Sequence, residues 1–338
     1  MPNLPAFSLP YRPSLPYPPS LPYPPSLPYP PHPPCVSRFA PAPTGLLHLG
    51  HLVNALFVWG VTRTLGGRVL LRIEDHDRQR SRPEFERAIL DDLDWLGFVP
   101  DEPTTEDFRR GVCPGRQSDR EATYEAALEG LRKQRLVYGC SCSRSDLSGG
   151  GSSTGETPYP GTCRVKGLVD RPGLTIRVRL DSTVERFDDL LRGPQEQRPD
   201  RQCGDLVVRD RACNWSYQFA AAVDDLAQDI TMVIRGDDLL TSTGRQILLA
   251  RLLGRQKPAR FLHHPLVMKT PTQKLSKADN DTSIRDMRRR GVSPHDLIGQ
   301  AAVLGGLLDK TRPVEAAEAP ILLQKYMPAL LARLAGAR

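Results

Sequence analysis

The chain has 338 residues, 39% of them hydrophobic and 25% charged, a composition that supports two compact domains and excludes a mostly disordered or fibrous protein. A net charge of +7 and a pI near 9.1 suit a polyanionic partner such as RNA. No apolar stretch reaches the roughly 18 residues of a membrane helix, and seven cysteines, an odd and partly clustered set, read as metal ligands and free thiols in a reducing cytoplasm rather than as a disulfide framework.

Residues 1–34 contain 15 prolines, and Ser-Leu-Pro-Tyr-Pro-Pro occurs three times between Ser14 and Pro31. Such a segment favours polyproline II and cannot bury a core, so it is expected to be a disordered extension. It lacks the charged start and continuous apolar run of a signal peptide.

A short apolar strand is predicted over Val36–Ala40, followed by a Pro/Gly turn from Pro41 to Gly45 and a helix with Leu52, Leu56 and Phe57 on its apolar face. His48 and His51 are three apart and share one side of the first turn. Free backbone N–H groups and the positive end of the helix dipole make that end a phosphate site, where two imidazoles can bond phosphate oxygens. Alone, two histidines at this spacing are more often a surface pair or a satisfied core pair.

Arg68–Asp75 follows a Gly66-Gly67 turn and reads as a buried parallel strand. Strand, helix, strand makes a right-handed crossover, the unit of a doubly wound sheet. Glu74 and Asp75 fall at its C-terminal edge, where such sheets bind ligands. Amphipathic helices are predicted over 83–97 and 119–136.

Cys140, Cys142 and Cys163 offer three thiolates within 24 residues, enough for zinc if a fourth ligand is found. No histidine lies between His76 and His263, which leaves Asp146, Tyr159 and Cys203; spacing alone prefers Cys203.

Leu174–Leu180 alternates as a half-exposed antiparallel strand. Asp205–Arg209 and Ile230–Arg235 read as buried strands that return the chain to the parallel sheet, with a helix opening at Trp215 between them. Lys274-Leu-Ser-Lys277 lies in a polar loop, and two lysines there suit a pyrophosphate leaving group. Residues 283–338 read as helical, with a basic run at Arg285 and Arg288–Arg290 that suits RNA phosphates or a solvated face.

These motifs together resemble the catalytic half of class I aminoacyl-tRNA synthetases of the glutamyl branch. His48-Leu-Gly-His51, after Ala40-Pro-Ala-Pro-Thr-Gly45, resembles the HIGH signature, and Arg72-Ile-Glu-Asp75 resembles the RIED-type signature. Lys274-Leu-Ser-Lys277 resembles KMSKS, with Ala278 in place of its last serine. Cys140-Ser-Cys142 and Tyr159-Pro-Gly-Thr-Cys163 match the family's Cys-x-Cys…Tyr-x3-Cys pattern, which favours Tyr159 as fourth ligand. His76 stands where the family often has a smaller or apolar residue, and its role stays open.

The resemblance spans residues 36 to about 310 and implies an α/β fold: a class I synthetase Rossmann-like parallel sheet, an inserted zinc-binding α+β subdomain and a short C-terminal helical part. The implied division is a catalytic domain over 35–113 and 203–268, an insert over 114–202, and the lysine loop with helices over 269–338. Too few residues remain for an anticodon-reading domain, which resembles the glutamyl-Q branch. That branch activates glutamate with ATP without tRNA and transfers it to the queuosine base of tRNA(Asp).

By the same resemblance, His48, His51 and Lys277 are catalytic, and these with Lys274 bind ATP. Arg38, Phe39, Ala40, Pro41, Ala42, Glu74, Tyr217 and Arg235 hold L-glutamate. Mg²⁺ accompanies ATP, and a structural Zn²⁺ is held by Cys140, Cys142, Tyr159 and Cys163. A cytoplasmic monomer is expected. A short synthetase charging a tRNA 3′ end, another adenylyl-transferring enzyme and a non-catalytic paralogue remain as alternatives.

Overall fold

The chain's computed structural model describes residues 35–143, 146, 158–270, 273–274 and 283–336. Its first strand, β1 (Val36–Phe39), feeds α1 (Leu49–Thr64), which returns to β2 (Arg68–Leu71), parallel to β1 from Val36↔Arg68 to Phe39↔Leu71. This is the predicted crossover. Helix α1 is apolar almost all round and is buried from Leu52 to Thr62 except at Asn54, so it is the central helix of the core. Helix α2 (Pro83–Leu96) covers one side with Ile89, Leu90, Leu93 and Leu96 and stops at Gly97, whose φ of 79° is the left-handed cap that glycine adopts without strain.

After a short α3 (Thr105–Arg109), α4 (Glu121–Lys133) leads into β3 (Val137–Cys140) and β4 (Thr175–Val178), which pair antiparallel. A hairpin follows, β5 (Glu185–Asp189) with β6 (Gly193–Gln197), then a short α5 (Pro199–Gln202) and β7 (Leu206–Arg209). β7 pairs antiparallel with β4 and completes the order β3-β4-β7. The expectation that 205–209 returns to the parallel sheet is therefore corrected. Leu206 and Val208 are buried with Tyr124, Leu128, Ile176, Val178 and Trp215. An apolar run is equally content in either sheet, and the α4 cluster claims it.

The return to the main sheet comes one strand later. Helix α6 (Tyr217–Ala227) precedes β8 (Met232–Gly236); α7 (Thr243–Leu252) precedes β9 (Arg260–His264), parallel to β8. Thr231 N–H, just ahead of β8, donates to the Val36 carbonyl at 2.9 Å, so β8 lies beside β1. β5 joins β9 in parallel at Asp189↔Phe261. The layer thus runs β2, β1, β8, β9, β5, β6. The β5–β6 hairpin is absent from the sequence-based expectation.

The chain then forms the hairpin β10 (Met268–Thr270) and β11 (Gln273–Lys274), and helices α8 (Ile284–Arg289), α9 (Pro294–Leu304), α10 (Ala319–Leu322) and α11 (Met327–Gly336). These helices pack on α1 closely enough that a Cβ on Gly60 would sit 2.2 Å from Leu323 Cδ1. Ala301, Ala302, Leu323 and Leu330 join the same core as α1. No helix among the described residues is long and apolar enough to cross a membrane.

Candidate active site

A cavity of about 430 Å³ opens where β1 meets β8. Arg38, Ala40, His48, Gly50, His51, Asn54, Glu74, Tyr217, Arg235 and His264 are among its lining residues. It sits at the C-terminal edge of the parallel strands, the ligand edge of such sheets.

At one end, His48 caps α1. Its Nδ1 accepts from Gly50 N–H at 3.1 Å, and His51 Nδ1 accepts from His48 N–H, also at 3.1 Å. An imidazole whose Nδ1 accepts carries its neutral proton on Nε2. Each ring therefore offers an N–H donor at the positive end of the helix, the arrangement an anionic phosphate needs. Gly50 leaves room for the His48 ring, since a Cβ there would lie 2.9 Å from His48 Cε1 and press on it. Ser283 bridges to His48, and Ile284 N–H donates to the Leu47 carbonyl at 2.9 Å, so the chain re-enters beside the histidines after the lysine loop. Lys277 lies outside the described residues, and Lys274 closes β11.

The charged wall of the cavity is built from strand ends and the start of α6. Glu74 is buried, and its carboxylate meets Arg72 Nη1 only at 3.7 Å. Burial raises its pKa above the ordinary carboxylate value, against the opposing pull of Arg72. Arg235, on β8, is equally buried and faces neutral acceptors only. Its Nε donates to His263 Nε2 at 3.0 Å, Nη1 to Gln246 Oε1 at 2.7 Å, and Nη2 to Thr243 Oγ1 at 2.9 Å. Among the described residues no carboxylate lies within ion-pair distance of it. Burial lowers its pKa. Tyr217, first residue of α6, has its phenol pushed up by burial and by the Glu74 charge.

Arg38 differs from Arg235 in being paired: its Nε donates to Asp225 at 3.0 Å. Asp225 also accepts from Arg72 Nη2 at 2.6 Å, and its carboxyl is held down at about 2, because Arg38 and Arg72 outweigh the burial that opposes them. Of the neighbours expected to hold a ligand, Ala40 lines the cavity. Phe39 is 2% exposed and stacks at a tilt on Trp59 at 5.4 Å in the core instead. Phe39 and Pro41 use their carbonyls to accept from Arg72 and Glu74 N–H at 2.9 and 3.0 Å. Those bonds carry the β1–β2 pairing on to the cavity. Pro41 and Ala42 are not among the lining residues.

Asn54 and His264 were not anticipated. His264 Nε2 lies 3.1 Å from Asn54 Oδ1, its ring stacks on Phe57 at 5.0 Å, and burial lowers its pKa to about 4, so it is neutral. His76 is held outside the lining: its Nδ1 is 2.7 Å from Gln117 Oε1 and its ring 6.0 Å from that of Tyr217. Gln117 Nε2 donates to buried Asp224 at 2.8 Å, which fixes the amide and makes His76 Nδ1 the donor.

The thiols of Cys140, Cys142 and Cys163 converge, with their Sγ atoms within 4.8 Å of one another. Tyr159 Oη is 3.4 Å from Cys140 Sγ and 3.9 Å from Cys142 Sγ, and accepts from Cys163 N–H at 2.8 Å. Cys203 donates its thiol to the Pro199 carbonyl at 3.1 Å, and Asp146 accepts from Ser143 N–H at 2.7 Å; neither joins the cluster. Burial raises the Cys142 thiol. Cys163 is lowered, since hydrogen bonds from Ser141 N–H and Tyr159 outweigh burial. Three converging sulfurs with one phenol oxygen form a donor set that fits a tetrahedral zinc ion.

The fold and the cavity define a class I aminoacyl-tRNA synthetase: a family model described as the catalytic domain of class I tRNA synthetases for E and Q matches residues 34–314. Within that class the chain belongs to the glutamyl-Q tRNA(Asp) synthetase family and is a ligase. It is 40% identical over 283 residues to the Glutamyl-Q tRNA(Asp) synthetase of Rhodobacter capsulatus, covering 78% of this chain and 98% of that one. It is 42% identical over 293 residues to the enzyme of that name from Symbiobacterium thermophilum, covering 83% and 90%. A crystal structure of a glutamate tRNA ligase from Elizabethkingia meningosepticum, in complex with its amino acid, is similar with a TM-score of 0.68 and 26% identity, over 87% of this chain and 70% of that one.

Proposed function

We propose that this protein activates L-glutamate with ATP, without needing tRNA, and transfers the glutamyl group to the queuosine base of tRNA(Asp). One observation carries the reading. Among the described residues, the cavity is lined by a carboxylate with one distant partner, Glu74, by a cation with no carboxylate partner, Arg235, and by two N–H-donating histidines at a helix start. A zwitterionic amino acid with an extra carboxylate matches the wall, and a nucleotide phosphate matches the helix end.

In the first step the α-carboxylate oxygen of glutamate attacks the α-phosphorus of ATP. The bond to pyrophosphate breaks, and glutamyl-adenylate forms. Catalysis here is positioning and charge stabilisation. Arg235 and Arg38 take the carboxylates, Glu74 and Tyr217 take the ammonium, and His48 and His51 donate to the phosphate. Lys274 and Lys277 stabilise the leaving pyrophosphate, and Mg²⁺ accompanies ATP. In the second step a queuosine hydroxyl attacks the mixed anhydride and AMP leaves. Cys140, Cys142, Tyr159 and Cys163 would hold a structural zinc away from this chemistry. The protein works as a cytoplasmic monomer.

The test is ATP–pyrophosphate exchange with glutamate and no tRNA, followed by glutamate transfer to tRNA(Asp) with and without queuosine. Exchange without tRNA and transfer only to queuosine-containing tRNA(Asp) is the expected result. Exchange that appears only with tRNA(Glu) would replace this reading with a short synthetase that charges a 3′ end.

A further inference from the structure

Behind Arg235 a chain of buried groups runs from β8 across β9 to the end of β5. Asp189, the last residue of β5, and His263, on β9, are both 0% exposed. Asp189 Oδ2 is 2.6 Å from His263 Nδ1, and Oδ1 accepts from Arg192 N–H at 2.8 Å, Leu191 N–H at 3.1 Å and His263 N–H at 3.3 Å. Three backbone N–H groups donate to this carboxylate. Arg235 Nε–H can only donate, so His263 Nε2, 3.0 Å away and with Thr243 Oγ1 also near at 3.2 Å, is the acceptor. A neutral His263 then carries its proton on Nδ1 and donates it to Asp189 Oδ2. Both groups titrate in keeping with this. Burial raises Asp189 but the His263 and backbone bonds outweigh it, and burial holds His263 below the ordinary imidazole value.

We infer that Asp189 and His263 are positioning residues for the amino-acid substrate: Asp189 fixes the His263 tautomer, and the tautomer fixes the fork of Arg235. The inference rests on the reading that Arg235 receives a glutamate carboxylate. The imidazole supplies a neutral acceptor that aims the guanidinium without cancelling its charge. A carboxylate placed directly against Arg235 would aim it as well, but would occupy the cation that the substrate must meet. Asp189 supplies the balancing charge from one ring away.

Asp189→Asn tests this with little change of shape. The amide can keep accepting from Arg192 and Leu191, but its NH₂ donates to His263 Nδ1 and drives the ring proton to Nε2. Two donors, Nε2–H and Arg235 Nε–H, then face each other. The expected result is a KM for glutamate raised by about 10- to 100-fold in ATP–pyrophosphate exchange, the scale of one lost hydrogen bond to a charged group. The KM for ATP stays the same, kcat falls less than the KM rises, and preference for glutamate over glutamine narrows. His263→Gln, which can place an amide oxygen where Nε2 was, restores part of the glutamate affinity. Nitrogen-15 NMR of labelled histidine should show His263 protonated on Nδ1 in the wild type and on Nε2 in Asp189→Asn.

A folded Asp189→Asn protein with wild-type KM for glutamate overturns the positioning role. A wild-type ring protonated on Nε2 overturns the hydrogen-bond chain itself. If the wild type gives no exchange with glutamate, the reading of the cavity falls and the inference falls with it. Wild-type exchange with an unaltered variant removes the inference alone.

Discussion

Arg38 Nε donates to the Asp225 carboxylate across 3.0 Å and 187 residues of chain. The bond ties the first strand of the sheet to the last turn of α6, and the same carboxylate takes Arg72 from β2's end. Replacing Asp225 by Asn leaves two buried guanidinium groups short of their counter-charge. Loss of one partner in a buried ion pair costs about 3–5 kcal/mol. Urea unfolding of Asp225→Asn should show a loss of that size, and a change under about 1 kcal/mol would remove the hub. The acid side of the stability profile follows from the same group. Its carboxyl is depressed to about 2, so its contribution is complete above the ordinary carboxylate pKa near 4 and disappears as pH falls to about 2.

Asp92 predicts the opposite slope. It sits on the buried face of α2, and its Oδ2 has no hydrogen-bond partner among the described residues. Burial pushes its carboxyl up to about 7, although Arg288 pulls the other way. The folded state therefore holds a proton that the unfolded chain releases near pH 4. The stability from this group is full below pH 4 and is lost as pH rises through about 7. Asp92→Asn should be more stable than wild type at pH 8, by up to about 4 kcal/mol for a shift from 3.8 to about 7, and equal to it near pH 4. Thermal melts at both values decide this; equal stability at pH 8 would show that Asp92 is charged at no cost.

Gly50→Ala separates activity from stability. Alanine suits a helix better than glycine by about 1 kcal/mol, yet its Cβ would press on the His48 ring from 2.9 Å. The variant should melt within a few degrees of wild type and lose about 10-fold or more in kcat for exchange, on the scale of a misplaced oxyanion donor. Wild-type activity would mean that the ring orientation is not used.

Metal analysis of gently purified protein should find about one zinc per chain, and a chelator should expose the thiols of Cys140, Cys142 and Cys163 to alkylation. Cys163→Ser should abolish the binding. Protein that is fully folded, active and free of zinc would sink this site.

Much of the cavity was legible because its motifs are local. His48 and His51 face one way because they are three apart on a helix, and Glu74 sits at a strand end marked by its own apolar run. Arg235 also closes an apolar run. What stayed hidden depends on partners distant in sequence. Glu185-Arg-Phe-Asp-Asp189 is mostly polar and gives little strand signal, yet β9 recruits it through Leu190 N–H to the Phe261 carbonyl at 2.9 Å. The role of Asp189 was invisible for that reason. Asp225 reads as an ordinary acidic residue on α6 until Arg38 and Arg72 are seen around it. β7 carries the reverse lesson: its apolar residues announced burial correctly, but periodicity does not name the sheet in which a strand is buried.

The placement of β1 between β2 and β8 has a consequence for biosynthesis. β2 is available to β1 almost as soon as it is made, but the other edge of β1 waits for Thr231 and the strand that follows. About 160 further residues, from Leu71 to Thr231, must leave the ribosome first, which takes on the order of 8–32 s at about 5–20 residues per second. Through that interval a buried strand has one unpaired edge, and contacts of such long range are slow to close. The nascent half-sheet is thus the stage at which this enzyme most needs shielding from aggregation.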